Sequence, residues 1–215
     1  STLFPYTALF RSLDGKWGQG SQSAIARYAS EDSELEPANY HMATLVIDFL
    51  EDVEDEGWKM RYLPSLGISL ALPEKSIGPL TKDEFGYNVW EHRYRTLDIM
   101  SARQDTAWMK SQHSLTYRNS SDHREPYIVR NADRWVTSAE TPDRTMAYVR
   151  SELIGSQWST ILVISSIADV NLLNTVAASI TVGRGVDWTI PDGGYLDRIT
   201  SLTFDYVDKE NSSNS

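Results

Sequence analysis

The side chains that would first suggest acid–base catalysis or metal binding are four histidines: His41, His92, His113 and His123. His92 and His113 fall in segments where polar and apolar residues alternate, and there a structural histidine is commoner than a ligand or a base. Asp122 precedes His123 in a polar stretch, but two side chains do not make a zinc site without further ligands. We therefore expect neither a metal site nor a cofactor.

The sequence also lacks the short motifs that identify common enzyme classes. It contains no Gly-rich phosphate loop, no GxSxG nucleophile motif, no HExxH zinc motif and no protein-kinase signature. It contains no cysteine, which excludes disulfides, zinc–thiolate sites and cysteine nucleophiles. Asn119-Ser120-Ser121 and Asn211-Ser212-Ser213 match the N-glycosylation pattern, but without an export signal we attribute both matches to chance. We therefore expect a protein that is not an enzyme.

The acidic charge of the chain is concentrated in one segment. The formal net charge at pH 7 is -10, from 30 acidic and 20 basic residues. Ten of the acidic residues and none of the basic ones lie between Glu31 and Glu56, which leaves 20 against 20 elsewhere. From Glu91 to Arg134, eight basic residues outnumber six acidic ones. The acidic segment would repel nucleic acid, so we expect it at the outer surface or at a contact between dimers.

Length and composition suit one domain with an extension at each end. With 215 residues and 40% hydrophobic content the chain can bury a core, and its longest apolar run, ILVISSI, is too short to cross a bilayer. We predict an N-terminal arm over residues 1–41, a main domain over 42–175 and a C-terminal extension over 176–215 with the pattern of a strand or hairpin. Residues 1–12 resemble a peptide encoded by sequencing-adapter DNA, or else form an ordinary apolar strand.

Alternating apolar residues predict a β-hairpin at the start of the main domain. ATLVIDF, residues 43–49, and WKMRYL, residues 58–63, would be its strands, and the acidic EDVEDEG between them its turn. Residues 63–79 contain three prolines and two glycines, which favours a loop or a short edge strand.

Further alternating runs predict the central strands of the sheet: EHRYRTLDIM (residues 91–100), WMKSQHSLTY (108–117) and PYIVRNADRWVTS (126–138). In the second run one face would carry Met109, His113, Leu115 and Tyr117. The opposite face is wholly polar, and its members are Lys110, Gln112, Ser114 and Thr116.

Two consecutive helices are predicted between residues 141 and 173. Thr141 would cap the first, with Pro142 at its first position and Met146, Val149 and Leu153 at helical spacing. After an interruption at Gly155, Ser159 or Thr160 would cap the second helix, whose apolar face would be formed by Ile161, Ile164, Ala168 and Leu172. The expected fold class is therefore α+β: an N-terminal hairpin and an antiparallel meander, followed by two helices on one face.

The segment AYVRSELIGSQWSTILVISSIADVNLL resembles the C-terminal helices of the coat proteins of single-stranded RNA bacteriophages of the Q-beta type. Residues 147–153 fill that family's Ala-aromatic-Val-Arg-Thr-Glu-Leu string with one conservative change, Ser151 for Thr. The resemblance covers roughly residues 42–175 and is mainly topological outside the helices. The long extensions at both ends and the less basic strands depart from the family pattern.

The resemblance implies a homodimer with a shared sheet and interlocked helices. Such dimers would assemble in the bacterial cytoplasm into an icosahedral shell around the single-stranded RNA genome. Its localisation would be the virion, without a membrane partner. The RNA-facing surface would then include Trp108, Lys110, Gln112, Ser114, Thr116, Arg130 and Arg134. The dimer interface would include Met146, Val149, Leu153, Ile161, Ile164 and Leu172. The alternative is a non-enzymatic β-rich binding module, of a carbohydrate-binding or viral fibre type, which would purify without nucleic acid.

Overall fold

The computed structural model describes residues 51–187. The chain divides into two units, one of which is residues 58–186, while the other contains residues 51–57. Residues 51–56 are helical. The strands and helices of the unit over residues 58–186 are β1 Trp58–Leu63, β2 Ile68–Pro73, β3 Thr81–Lys82, β4 Asn88–Glu91, β5 Leu97–Gln104, α1 Thr106–Arg118, β6 Tyr127–Arg130, β7 Arg134–Glu140, β8 Thr145–Ile154, β9 Gln157–Ser166, α2 Val170–Ser179 and β10 Thr181–Val182. A 3-10 turn, Ile167–Asp169, precedes α2.

Seven strands form one antiparallel sheet in the order β3-β4-β5-β9-β8-β7-β6. Strands β6 to β9 follow one another as hairpins, and β9 then pairs with β5, which lies before α1 in the chain. Ile154 pairs with Gln157, so the loop between β8 and β9 consists of Gly155 and Ser156 alone. Gly155 has a φ of 68°, the conformation that a two-residue hairpin loop with glycine in first place requires.

Helix α1 covers one face of this sheet. Asp105 caps it, because its Oδ1 accepts the backbone N–H of Trp108 at 2.8 Å. Met109, His113 and Thr116 are its buried residues, and their spacing of four and three places them on the side that packs against β7, β8 and β9.

The opposite face is covered by the second sheet, in the order β1-β2-β10. Ser159 Oγ donates to the carbonyl oxygen of Leu66, in the turn between β1 and β2, at 2.6 Å. Thr160, its neighbour, points the other way, toward the α1 side. Helix α2 packs against both β2 and β9. The sheet contributes Leu97, Ile99, Ile161 and Val163 to this core, none more than 1% exposed.

The predicted N-terminal hairpin joins β1 to ATLVIDF, which lies outside the described residues; within them, β1 pairs with β2. The predicted turn over residues 51–57 is helical up to residue 56. β2, expected to be a loop or an edge strand, is buried along its length between β1 and β10. Its proline, Pro73, stands at the strand's last position, beyond the residues of β2 that pair with β10.

The predicted strand over residues 108–117 is wrong: this segment belongs to α1. Met109 and His113 are four residues apart, a separation that fits both a strand and a helix, so alternation could not decide between them. The supposed polar face therefore does not exist, because Lys110 and Ser114 are exposed whereas Thr116 is buried. Two other strands were predicted. Residues 126–138 form the β6–β7 hairpin, and residues 91–100 form the turn before β5 and the first half of β5.

The two predicted helices over residues 141–173 are also wrong, because most of this segment forms β8 and β9. Thr141 caps a turn rather than a helix: its Oγ1 donates to the carbonyl oxygen of Thr145 at 2.9 Å. Arg144 follows with a φ of 65°, a conformation that a helix cannot contain. Among the residues of the supposed helical faces, Leu172 alone lies in an α-helix, α2.

The broader prediction, an α+β chain built mainly on antiparallel sheet, is confirmed. Within residues 51–187, no helix is long and apolar enough to span a membrane. The predictions for residues 1–12, for the rest of the arm and for the hairpin after residue 187 lie outside the described residues. The predicted domain end at residue 175 falls within α2.

Candidate binding site

An open depression of about 640 Å³ lies where β5 ends and α1 begins. The β3–β4 hairpin, the turn between β1 and β2 and the first residue of β9 complete its wall. The side chains with the greatest binding potential are two exposed aromatic rings, Phe85 and Trp108, two cations, Lys82 and Arg103, and a buried amide, Gln104.

Phe85 is held in solvent by a fixed loop. Asp83 Oδ1 accepts the backbone N–H of Phe85 at 3.0 Å and that of Tyr87 at 2.7 Å. Gly86 completes the loop with a φ of 85°, and its N–H donates to the carbonyl oxygen of Asp83. Phe85 is 70% exposed, so the loop presents a large apolar side chain that residues 51–187 do not cover.

Trp108 lies in the first turn of α1, on the same depression. Its backbone is fixed by the Asp105 cap, and the turn is tied to β9 by a hydrogen bond from Trp158 Nε1 to Thr106 Oγ1 at 3.2 Å. The residue is 56% exposed. Both aromatic residues are therefore held by ordered backbone, which lowers the entropy cost of binding to them.

Gln104 forms part of the floor of the depression and is only 6% exposed. Its Nε2 donates to the hydroxyl oxygen of Tyr87, which in turn donates to Gln112 Oε1 at 3.2 Å. Burial, as the largest cause, raises the pKa of Tyr87, so the phenol keeps its proton for this bond. Gln104 Oε1 is buried and accepts no hydrogen bond within the described structure. That oxygen has less than 1 Å² of solvent-accessible surface, so it belongs to the core beneath the floor.

The two cations stand at the wall of the depression. Arg103 donates from Nε to the carbonyl oxygen of Ser65 at 2.8 Å and from Nη1 to that of Ile154 at 3.0 Å. These bonds hold the guanidinium in place without neutralising its charge. Lys82, in β3, is exposed. Asp105 is the carboxylate on the same wall, and one of its oxygens is occupied by the helix cap.

The predicted RNA contacts do not form one surface. Trp108 lines the depression, Gln112 supports its floor from behind, and Ser114 is exposed on α1. Thr116 is buried, and its Oγ1 donates to a carbonyl oxygen of its own helix. Arg134 points to the opposite face of the sheet from α1, where its Nε donates to Glu152 at 2.6 Å.

Lys110 and Arg130 do come together, at the ring of Trp135. Lys110 Nζ lies 6.0 Å from the ring centroid and the Arg130 guanidinium 4.4 Å from it, both suited to cation–π contact. Arg130 also donates to the carbonyl oxygen of Val136 and to Thr137 Oγ1, so much of its donor capacity is already used.

The predicted dimer contacts are mostly covered by the chain itself. Met146, Val149, Ile161 and Leu172 are between 0% and 6% exposed, and Ile164 is half-buried. Leu153 is 39% exposed and could meet a partner. Burial within one chain means that these side chains do not need a partner subunit to cover them.

Two titratable groups with a shifted pKa, His113 and Asp98, lie outside the depression. His113 is fully buried, with Nδ1 2.7 Å from Thr137 Oγ1 and Nε2 3.0 Å from Ser151 Oγ. Burial lowers its pKa to about 4, and Arg130 adds to the effect. Asp98 lies opposite Glu91 on neighbouring strands, and burial with that second carboxylate raises the pKa of Asp98. Neither His113 nor Asp98 lines the depression.

Sequence patterns identify Trp108 but not Phe85 or Gln104. The segment Asp83-Glu84-Phe85-Gly86 carries a turn signal with an aromatic residue inside it, which could have marked an exposed ring. Nothing in the sequence could show that Gln104 is buried with a free acceptor. Among residues 51–187 no group of three or more His, Asp or Glu side chains could hold a metal ion. Comparison with known protein families and with curated proteins finds no match.

Proposed function

We propose that this chain is a non-enzymatic, β-rich binding module that holds its ligand in the depression between Phe85 and Trp108. The observation that carries the proposal is that two large aromatic residues, Phe85 at 70% and Trp108 at 56% exposure, line one depression on backbone fixed by hydrogen bonds. Two large exposed rings beside a buried polar group match the usual composition of small-ligand sites.

A binding role is better supported than a catalytic one. His113 and Ser151 form a base and hydroxyl pair at hydrogen-bond distance, but both are 0% exposed, so a substrate could not reach them. Asp98, whose pKa is raised by burial and by the neighbouring Glu91, does not line the depression, and neither does Glu91. The groups of the depression itself lack a base beside a nucleophile.

The test is a ligand screen on the intact chain, read by calorimetry or by ligand-observed NMR, with a matched pair of variants. Trp108→Ala removes the exposed ring and is expected to weaken binding of any ligand found by at least about tenfold. Tyr94→Ala removes a comparably exposed ring outside the depression and should leave affinity unchanged. Ligands that bind both variants equally well would show that the depression is not the site.

A second candidate function is the coat protein of a single-stranded RNA bacteriophage, with a homodimer that assembles into a shell around the RNA. The observation in its favour is the patch formed by Lys110, Arg130 and Trp135, which combines positive charge with an aromatic ring. The string over residues 147–153 that suggested this family lies in β8, not in a helix. Shells visible by electron microscopy of the purified protein would support this candidate, and their absence across salt and pH would count against it.

A further inference from the structure

We infer that the ligand of the depression is a nucleotide unit: an unstacked base over the exposed aromatic rings, with its phosphate beside Lys82 and Arg103. This inference rests on the proposed binding function and names the chemistry of the same site.

The rings favour a flat aromatic ligand. Phe85 and Trp108 are both more than half exposed, on backbone fixed by the Asp83 loop and by the Asp105 cap. An unstacked base presents two aromatic faces, and every base can stack on such side chains, whatever its sequence context.

The charges favour a phosphate on the same ligand. Arg103 is held by two backbone carbonyl oxygens and keeps its positive charge, while Lys82 lies exposed on the same wall. Among residues 51–187, Asp105 is the one carboxylate that lines the depression, and its Oδ1 caps α1, so the two cations outnumber the acidic groups of the lining. A neutral sugar could use the rings but would not engage the charge of either cation.

The test compares adenosine monophosphate (AMP) with adenosine and with a neutral oligosaccharide, by calorimetry on the full chain. We expect AMP to bind at least about tenfold more tightly than adenosine at low salt, because the phosphate meets two cations. Added salt should narrow that difference, because it screens exposed charges.

Three variants assign the contacts. Lys82→Ala should weaken AMP several-fold and leave adenosine unchanged, whereas Trp108→Ala should weaken both by at least about tenfold. Lys59→Ala, on β1 outside the depression, is the matched charge control and should change neither. All three positions are exposed, and unchanged circular dichroism would establish that each variant is folded.

A five-residue oligoadenylate distinguishes single-stranded RNA from a free nucleotide as the natural ligand. Its five bases alone should raise its affinity about fivefold above that of AMP, and an increase of that size indicates a free nucleotide. A larger increase indicates single-stranded RNA. Either result supports the inference. Trp108-dependent binding of the oligosaccharide without binding of AMP would overturn it and leave the binding function standing. Failure of AMP and the oligoadenylate to bind would also overturn the inference, whereas the binding function fails only if no ligand of the wider screen depends on Trp108.

Discussion

At the scale of single residues, His113 shows how a side chain with catalytic potential serves the core instead. Its two ring nitrogens meet Thr137 Oγ1 and Ser151 Oγ, and Ser151 Oγ lies 2.8 Å from Thr160 Oγ1. The ring packs edge-on against Trp135, with centroids 5.7 Å apart. Hydroxyl groups can donate or accept, so this network accommodates a neutral imidazole between α1 and the sheet.

The first prediction is that His113 makes the protein less stable in acid. Its pKa is about 4 in the folded protein and about 6.5 in the unfolded chain, so the unfolded chain binds the extra proton. The stabilisation is complete above pH 6.5 and is lost as the pH falls toward 4, by at most about 3 kcal/mol. Urea unfolding at pH 7 and pH 4.5 measures it.

His113→Gln is the control for that prediction, because glutamine keeps donor and acceptor groups but does not titrate in this range. The variant should be less stable than the natural chain at pH 7, and the two should converge at pH 4.5. A difference of the same size at both pH values would mean that another group carries the acid sensitivity.

At the scale of elements, the β8–β9 hairpin shows why the helical prediction failed. Both faces of these strands are covered, so side chains of both parities are buried and the alternation that marks a half-exposed strand is absent. The continuous apolar run over residues 161–164 then fits a helix as well as a strand. The deciding signal was the dipeptide Gly155-Ser156, a two-residue hairpin loop between two β-rich runs.

The second prediction tests that loop. Gly155→Ala should lower the free energy of unfolding by about 1–2 kcal/mol, because alanine is strained at a φ of 68°. Space is not the cause, since a Cβ there would meet no atom within 4 Å. Gly155→Asn should cost less, because asparagine tolerates this conformation. In a helix the alanine variant would be neutral or stabilising, so a gain in the urea midpoint would contradict the hairpin.

At the scale of the whole chain, local patterns predicted the class of the fold but not its layers. Antiparallel strands and a few helices follow from alternation and turn residues. The burial of β2 between β1 and β10, and the return of β9 to pair with β5, depend on contacts far apart in sequence. The candidate site could not be predicted for the same reason, because Phe85, Gln104 and Trp108 line the depression from separate elements.

The third prediction concerns where the unit over residues 58–186 ends. A chain that stops at residue 175 would match the predicted domain but would cut α2 and remove Val176 and Ile180, which are 0% and 3% exposed. It would also remove Ser179, whose Oγ accepts the backbone N–H of Ala71 at 2.7 Å. The expected loss is about 4 kcal/mol or more, close to the whole stability of a small domain.

A chain that stops after Asp187 retains all three side chains and is the matched control. Urea unfolding followed by circular dichroism should show a much lower midpoint, or no cooperative transition, for the chain ending at residue 175. Equal midpoints for the two chains would mean that α2 contributes little to the core. The sheet would then be stable without the helix that packs against both β2 and β9, and the shorter, predicted domain would be the correct one.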